Sequence, residues 1–255
     1  MTRYILQLTR IMRCVAFSHS GPDAKVLLQG LITNDMALLD QGAGKECIST
    51  AFLTPKGRVL GDALVIRSPK QEMKGKPGYL LDCPLSIATE LQNHIELYKL
   101  RSKAKIKDVT PQFEVVVSSV NNPWGNAGAA SDRKTETEAP RKGTFPPVLK
   151  HGEEGQPVAA YNDPRFVGLG QRLLLPKADT GIGGRDWLLR GEEAVIEESH
   201  FNALRILFGV PEGLELSGSI PLESNLELLG SVSFTKGCYV GQELTARTHF
   251  KVRCV

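Results

Sequence analysis

Two β-rich runs joined by a tight turn place the strongest constraint on the fold of this chain. Residues 47–53 and 58–66 are rich in apolar and β-branched residues, and the sequence Thr54-Pro55-Lys56-Gly57 between them has the composition of a turn. We therefore predict a β-hairpin, whose strands pair antiparallel. Along the rest of the chain strand-like and helix-like segments alternate irregularly, and no G-x-G-x-x-G motif follows a strand. This pattern favours an α+β fold with antiparallel sheets over a doubly wound parallel sheet.

Two longer helices are predicted from hydrophobic spacing. The first covers residues 84–101, where an apolar stripe recurs at helical spacing and cations occupy the last turn. The second covers residues 192–208, which begin with two glutamates and end at Gly209 with Pro211 beyond. The stripe of the first helix is Ile87, Leu91, His94 and Tyr98, and that of the second is Ile196, His200, Ala203 and Leu207.

Two polar side chains in these helices need an interpretation. We interpret His94 as a histidine in the core or at its boundary rather than as a metal ligand. Arg205 lies off the predicted stripe of its helix. Two alternatives stay open for Arg205. Its side chain pairs with a carboxylate such as Glu223, or it is solvated.

The N-terminal region fits two patterns. The first 22 residues contain Arg3, Arg10 and Arg13 and no acidic residue, which is the composition of a transit peptide. Residues 4–8 and 15–17 also have the composition of a β-strand. We interpret this region as the first strand of the fold, with any targeting segment already absent.

Composition limits the class of function. Hydrophobic residues make up 41% of the chain and charged residues 23%, which is ordinary for a soluble globular protein. The net charge is only +3, and no basic run is interleaved with aromatic residues, so we expect no nucleic-acid partner. No apolar segment approaches the roughly 18 residues that a membrane span requires, so we expect no membrane partner either.

Cysteine usage argues for a thiol that acts alone. The cysteines are odd in number and far apart, and none forms a C-x-x-C pair. Neither a disulfide framework nor an all-cysteine zinc site is therefore expected, and a reducing compartment is the more natural setting. The five are Cys14, Cys47, Cys83, Cys238 and Cys254.

Cys238 has the surroundings that a ligating or reactive thiol needs. It lies in the run Lys236-Gly237-Cys238-Tyr239-Val240-Gly241-Gln242-Glu243. Glycine before and after the cysteine lets the backbone bend and lets a ligand approach the main chain. A lysine ammonium two residues away favours the thiolate, which is the form that binds metals. The alternative is a buried cysteine in a tight turn.

The same run resembles the signature of the YgfZ/Iba-type iron–sulfur cluster assembly factors, which are relatives of the aminomethyltransferase of the glycine-cleavage system. Residues 209–213 and 221–227 before it, and residues 244–248 after it, resemble the mitochondrial branch of that family in particular. The resemblance is close over residues 200–248 and looser elsewhere, and residues 120–150 show none.

The resemblance implies two ferredoxin-like lobes with antiparallel sheets around a central cavity, and a C-terminal β-barrel lobe that is truncated or absent here. We place an N-terminal α+β lobe at 1–110, a second α+β lobe at 111–230, and a cysteine-motif segment leading toward a C-terminal lobe at 231–255. These bounds are approximate and allow the lobes to interleave. Residues 121–147 have little apolar surface to bury and are predicted to form a mobile loop.

The resemblance also implies a role in maturing mitochondrial 4Fe-4S proteins in the matrix. The chain would act as a monomer or hetero-oligomer with an A-type scaffold protein and would share an iron–sulfur cluster with it. Such clusters usually take four protein ligands, so Cys238 would supply one and the scaffold the rest. On this interpretation the chain is an assembly factor and not an enzyme.

The other motif residues would support that thiol. The charge of Lys236 would tune it, and Gly237 and Gly241 would act as hinges. The side chains that would hold the loop by hydrogen bonds or meet the partner are Gln242, Glu243 and Arg247, and Tyr239 completes the motif.

Two other classes of function stay open. The first is folate-dependent one-carbon (aminomethyl) transfer, with tetrahydrofolate as cofactor in a pocket that contains Asn34, Asp62 and Glu223. It requires a carboxylate acid or base, and the Glu223 carboxylate could accept two donors from a pterin edge. The aspartate pair of the aminomethyltransferases is reduced here to Gly61-Asp62. The second is a structural binding module whose cysteine loop is only a turn.

Overall fold

A computed structural model describes residues 6–11, 13–20, 23–40, 45–67, 78–120, 159–177 and 194–252 of the chain. The predicted loop at 121–147 lies outside the described residues. Among those that are described, no helix is both long enough and apolar enough to cross a bilayer.

The secondary structure is a mixture of sheets and helices. The strands are β1 (Leu6–Ile11), β2 (Arg13–Ser20), β3 (Cys47–Leu53), β4 (Val59–Arg67), β5 (Gly78–Pro84), β6 (Phe113–Val120), β7 (Ala159–Asn162), β8 (Gln171–Pro176) and β9 (Ala194–Ile196). The α-helices are α1 (Ala24–Leu31), α2 (Ala88–Lys99), α3 (Glu198–Leu207) and α4 (Gln242–Val252).

The strands form two sheets. One has four antiparallel strands in the order β2-β5-β4-β3, and the other has five strands in the order β7-β8-β6-β1-β9. Every pair in the second sheet is antiparallel except β1 and β9, which run parallel. The predicted α+β class and the predicted hairpin, now seen as β3 and β4, are both confirmed.

The first two strands belong to different sheets. β2 pairs with β5, whereas β1 pairs with β6 and β9. The beginning of the chain thus contributes an interior strand to a sheet that otherwise comes from residues 113–196. We leave the predicted domain bounds as a prediction; they are 1–110, 111–230 and 231–255. The structure adds that β1, from the first of these ranges, belongs to the sheet formed mainly by the second.

The four-stranded sheet is buried on both faces. Ala63 and Val65 of β4 share a core with α1 and α2, whereas Leu64 and Ile66 share a second core with β6, β8 and α3. Successive side chains of a strand point to opposite faces, which is why neighbours in β4 join different cores. The sheet therefore lies between a helical layer and the five-stranded sheet.

The first predicted helix is confirmed. A 3-10 turn at Leu85–Ile87 leads into α2, and Leu91 and His94 are buried as the spacing predicts. His94 contacts the rings of Phe52 and Tyr98, and burial lowers its pKa below the ordinary value. Its Nε2 atom has no hydrogen-bond partner within the described ranges. His94 is thus a core histidine, as the sequence indicates.

The second predicted helix is wrong in its start and in its buried face. Residues 194–196 form β9, because they pair with the edge of β1, and α3 begins only at Glu198. Phe201 and Arg205 are buried, whereas Leu207 is exposed. The predicted apolar stripe is wrong because it leaves out Arg205. This arginine is buried, and its charge is balanced by the Glu215 carboxylate. His200 and Ala203 of that stripe are exposed as well.

A buried network of charges joins the two sheets. Arg172 of β8 is fully buried and donates to Asp82 of β5 at 3.1 Å, to Asp163 at 3.0 Å and to Glu212 at 3.3 Å. Tyr161 of β7 donates to the same oxygen of Asp82 at 3.0 Å. One guanidinium therefore binds carboxylates from the four-stranded sheet, from the turn after β7 and from the loop after α3.

A second arginine extends the network. Arg165 binds Asp163 through two hydrogen bonds of 2.9 and 2.6 Å. Its Nη1 atom lies 2.6 Å from Glu212, an ion pair whose angle does not suit a hydrogen bond, and 3.9 Å from Asp62. Although burial alone raises the pKa of Asp163, the charges of Arg165 and Arg172 hold it well below its ordinary value.

Removing the central guanidinium should destabilise the whole fold. The substitution Arg172→Met keeps much of the side-chain volume but withdraws the positive charge from three buried carboxylates. We expect a loss of about 3–5 kcal/mol in the free energy of unfolding, measured by urea denaturation. Lys25→Met breaks an exposed pair with Asp40 and should cost at most about 1 kcal/mol. Equal losses in the two variants would contradict a structural role for the network.

Candidate functional site

The cysteine-motif segment, residues 231–241, is held against the C-terminal end of α1 and the loop that follows it. Ser233 donates its backbone N–H to Thr33 at 3.0 Å, and Val240 donates its own to Gly30 at 3.0 Å. The Thr33 hydroxyl donates to the carbonyl of Ser231 at 2.7 Å. These contacts join parts of the chain that lie about 200 positions apart in the sequence, and they define where Cys238 lies.

Lys236 supplies the strongest of these attachments. Its ammonium donates to the backbone carbonyls of Gln29 at 2.7 Å, Ile32 at 2.7 Å and Asn34 at 2.8 Å. The last carbonyls of a helix have no partners within the helix and carry its negative dipole end, so a cation fits there. Burial lowers the pKa of Lys236 to about 8.

This geometry gives Lys236 a positioning role that the sequence did not predict. All three hydrogens of the ammonium point at carbonyl oxygens, so none is left to bond the thiol of Cys238. Its charge lies 4.9 Å from the centre of the Tyr239 ring. The expected tuning of the thiol by Lys236 stays a prediction.

Two glycines face each other where α4 meets the β3–β4 turn. Gly241 has a φ of +79°, and a Cβ atom there would lie 2.4 Å from the carbonyl oxygen of Thr54. Gly57, with a φ of +77°, would place a Cβ atom 2.5 Å from Cβ of Leu244. At Gly237, by contrast, an added Cβ atom would have no described atom within 4 Å. Of the two predicted hinge residues, Gly241 is therefore tightly packed and Gly237 has open space around it.

Cys238 is exposed in this segment. Cys47 and Cys83 are buried, and burial raises the pKa of Cys47 well above its ordinary value, which keeps it a neutral thiol. Of the cysteines whose side chains are described, Cys238 is the one that a partner or a cluster can reach. The alternative of a buried cysteine in a tight turn does not describe this position.

The remaining motif residues shape the start of α4. The side chain of Gln242 accepts a hydrogen bond from the backbone N–H of Tyr239 at 3.0 Å, which closes the loop behind the cysteine. Glu243 and Arg247 pair one helical turn apart, and both are exposed. Tyr239 is partly buried against the core around Leu53, and burial raises its pKa.

The three residues predicted for a folate pocket have separate environments. Both amide hydrogens of Asn34 are used, by the carbonyls of Ser49 at 2.7 Å and Gly230 at 2.8 Å. Asp62 is buried and accepts the backbone N–H of Gly213 at 2.7 Å. Glu223 is exposed on a 3-10 turn at Pro221–Ser224. The structure does not show these three side chains lining a common cavity.

A cleft of about 300 Å³ lies between the start of α2, α3 and the loop after it, and it includes none of those three residues. Arg205 lines the cleft and binds Glu215 through two hydrogen bonds of 2.7 Å each. The carboxylate partner of Arg205 is thus Glu215 and not Glu223, and the arginine is not solvated. The residues that line the cleft are Pro84, Leu85, Ser86, Glu198, Phe201, Asn202, Arg205, Glu212, Gly213, Leu214 and Glu215.

Sequence reasoning missed the buried charges and the helix after the motif. Asp82 and Arg172 each lie next to runs of leucine, and a charge inside an apolar strand is a signal that could have marked them. In α4, His249 stacks on Phe234 at 3.6 Å between ring centres and lies 3.3 Å from Glu227. This stack ties the motif segment to α4.

The described residues offer a single accessible thiol and no ready-made metal centre. Across the ranges that the structure covers, no three or more His, Cys, Asp or Glu side chains are grouped so that they could hold a metal ion. A cluster that uses Cys238 would therefore need further ligands from outside these residues.

The paired glycines generate a test of how the segment is held. Gly241→Ala forces a methyl group into the Thr54 carbonyl at a backbone conformation that favours glycine. We expect a loss of about 1–3 kcal/mol in stability, with faster hydrogen exchange in α4. Gly237→Ala adds the same methyl group in open space and should change stability by no more than about 0.5 kcal/mol. Similar effects in the two variants would show that Gly241 is not a packing constraint.

The sequence of the chain is similar to that of known proteins. No protein-family model matches the chain. It is 32% identical over 244 residues to "Iron-sulfur cluster assembly factor IBA57 homolog, mitochondrial" of Neurospora crassa, an alignment that covers 94% of this chain and 50% of that protein. It is 35% identical to "Iron-sulfur cluster assembly factor IBA57, mitochondrial" of Mus musculus and of Homo sapiens, in each case over 90% of this chain and 58% of the relative.

The chain spans about half the length of these relatives. Among solved structures, an aminomethyltransferase T of the glycine cleavage system from Bartonella henselae aligns with 46% of this chain and 29% of its own at 16% identity, with a TM-score of 0.37. The family resemblance predicted from the motif around Cys238 is confirmed by the sequence comparisons. Over the part that it spans, the chain is a relative of the mitochondrial iron–sulfur cluster assembly factors.

Proposed function

We propose that this chain is an assembly factor, and not an enzyme, in the maturation of mitochondrial 4Fe-4S proteins in the matrix. The names of the relatives state both the compartment and the class of process, and the similarity extends over nine tenths of this chain. The observation that carries the proposal is the exposed thiol of Cys238 on a segment that is fixed at both ends.

In this proposal Cys238 gives one ligand to a cluster that is the cargo of the process. Four protein ligands are usual for such clusters, so the partner, an A-type scaffold protein, would supply the others. A shared site of this kind needs a thiol that projects from the surface at a defined place. Exposure of Cys238 supports the first requirement, and the three bonds from Lys236 to the end of α1 support the second.

The exposed residues next to the thiol would form the rest of the partner contact. Glu243 and Arg247 lie on the first turns of α4 and neutralise each other, so the surface beside Cys238 carries little net charge there. Gln242 would keep the loop closed through its bond to Tyr239. The open space around Gly237 would let the backbone adjust when the scaffold binds.

We also propose that the two sheets represent the two ferredoxin-like lobes and that they surround a central cavity in the full-length relatives. The two faces of the four-stranded sheet pack against different helices, since α1 and α2 share one core with it, whereas α3 shares the other core with both sheets. We do not extend the proposal to folate-dependent transfer, because the amide of Asn34 is engaged with the backbone and Glu223 lies on an exposed turn.

The ligand role of Cys238 can be tested by reconstituting a cluster. The chain and an A-type scaffold are mixed under anaerobic conditions with iron and sulfide, and visible absorption reports the cluster. Cys238→Ser should abolish the absorption that depends on both proteins while leaving the thermal unfolding of the chain unchanged. Unchanged spectra for the serine variant would reject the ligand role.

A second variant separates ligation from positioning. Lys236→Met keeps the thiol but removes the attachment to the end of α1, so the mixture should form the same spectrum at about tenfold higher protein concentration, the equivalent of about 1.4 kcal/mol. The control is Lys251→Met, an exposed lysine on α4, which should leave the concentration dependence unchanged. If Lys236→Met instead behaves like the control, the segment does not need its lysine anchor.

A further inference from the structure

A row of cations follows the end of α2. The side chains of Arg101, Lys103, Lys105 and Lys107 are exposed, and they alternate with residues that point inward. Between them, Ala104 is buried and Ile106 packs against the core formed by α1, α2 and the four-stranded sheet. An extended chain rises at most about 3.6 Å per residue, so the row reaches at most about 22 Å.

The core fixes the direction in which these cations point. Because Ala104 and Ile106 pack inward, the intervening residues face solvent together. The backbone is tied down as well, since Lys103 donates its N–H to the carboxylate of Asp23 at 2.7 Å, and Ser102 donates to Lys99 at 2.8 Å. The row is thus a fixed feature of the surface and not a loose loop.

The four cations have no ion-pair partner among the described residues. Lys99, one step before the row, differs because it pairs with Glu96 at 3.5 Å. Residues 99–107 contain no acidic residue, and the nearest carboxylates are Asp108, which follows Lys107, and Asp23, which accepts the backbone N–H of Lys103. Like charges held side by side repel one another, so a ligand that brings negative charge would relieve the repulsion.

Two leucines lie beside the row. Leu97 in the last turn of α2 is 67% exposed and Leu100 just after it is 85% exposed. Leu100 has a φ of +44°, a conformation that is rare for a bulky residue. Leu100 is the C-cap residue of α2, so this conformation lies where the helix ends. We call the four cations and these two leucines the basic edge.

We propose that the basic edge binds the surface of a bilayer that contains anionic lipid. Cations next to exposed aliphatic side chains match such a surface, because lipid phosphates attract the cations while the leucines enter the apolar boundary. Attachment of this kind is peripheral, so it needs no spanning helix. It goes beyond the proposed function and does not involve Cys238.

The chemistry of the basic edge favours lipid over the other polyanions. A single-stranded nucleic acid stacks its bases on aromatic side chains, and Tyr98, the aromatic residue beside the row, is turned inward onto His94 at 4.9 Å. An acidic polypeptide could satisfy the cations but would leave the two leucines without apolar surroundings. A lipid surface satisfies both kinds of side chain.

The proposal is tested by sedimenting the whole chain with vesicles. One set is pure phosphatidylcholine, and the other contains about one third phosphatidylserine. We expect binding to the anionic vesicles alone, lost when salt rises from about 0.1 M to about 1 M. Each cation near a membrane contributes roughly a fivefold change in affinity, so the triple variant K103S/K105S/K107S should bind about 100-fold more weakly.

Matched controls separate the basic edge from net charge. The variant K45S/K56S/K251S removes three exposed lysines from other parts of the surface and should keep the affinity of the unchanged protein within about threefold. The variant L97S/L100S should weaken binding to anionic vesicles while the salt dependence stays the same, because the charges remain. Circular dichroism melts show whether each variant is folded.

Several outcomes would overturn the proposal. These are no binding of the unchanged protein to anionic vesicles, equal losses in the two triple variants, or no effect of the leucine substitutions. Tighter binding to polyglutamate or to a single-stranded oligonucleotide than to the vesicles would also overturn it and would assign the basic edge to that other polyanion.

Discussion

The buried guanidinium of Arg172 is the contact on which the arrangement of the two sheets depends. It lies on β8 and binds carboxylates from β5, from the turn after β7 and from the loop after α3. A buried charge is tolerated only when its partners are complete, because an unpaired ion in a low-dielectric interior costs several kcal/mol. The sheets can therefore pack in few relative positions, since most displacements would leave a carboxylate or the guanidinium unpaired.

The position of the cysteine-motif segment is set by the four-stranded sheet and the end of α1. The four-stranded sheet carries the β3–β4 turn, whose Gly57 lies against the start of α4. It also carries Ser49, whose hydroxyl is 2.7 Å from that of Ser231. Lys236 adds the contact with the end of α1. Three separate elements of the N-terminal half thus hold the segment that presents Cys238.

The parts of the fold that the sequence predicts well are local ones. The β3–β4 hairpin and α2 depend on turn composition and on spacing within a dozen residues, and both are present. The face of α3 was mispredicted because Arg205 counts as polar in any periodicity, whereas its true partner, Glu215, lies ten positions further along the chain. Residues 194–196 likewise form a strand because they pair with β1, which lies almost 190 positions earlier in the sequence. A local sequence pattern cannot predict such a pairing.

In the candidate site, too, some features can be predicted from the sequence and others require the folded structure. The exposure of Cys238 agrees with a motif rich in glycine and polar residues, which can be recognised in the sequence alone. The carbonyl partners of Lys236 cannot be recognised in the sequence, because they lie about 200 positions away and contact the lysine only in the folded chain. The same holds for Asp62, whose burial depends on Gly213 and Arg165. Composition showed an ordinary net charge, yet the spacing of four cations after α2 became meaningful only when Ala104 and Ile106 were seen to face inward.

The attachment of Lys236 to α1 has a consequence for the order in which the protein matures. The lysine and the first of its acceptors, Gln29, are separated by 207 positions. A polypeptide that emerges with its N-terminus leading can form α1 early, but the carbonyls at the end of that helix gain this cation only when Lys236, 207 positions after Gln29, has followed. Until then the thiol has no fixed place. The position of Cys238 would therefore depend on long-range folding between the residues around Lys236 and the end of α1, and not only on the residues next to the cysteine.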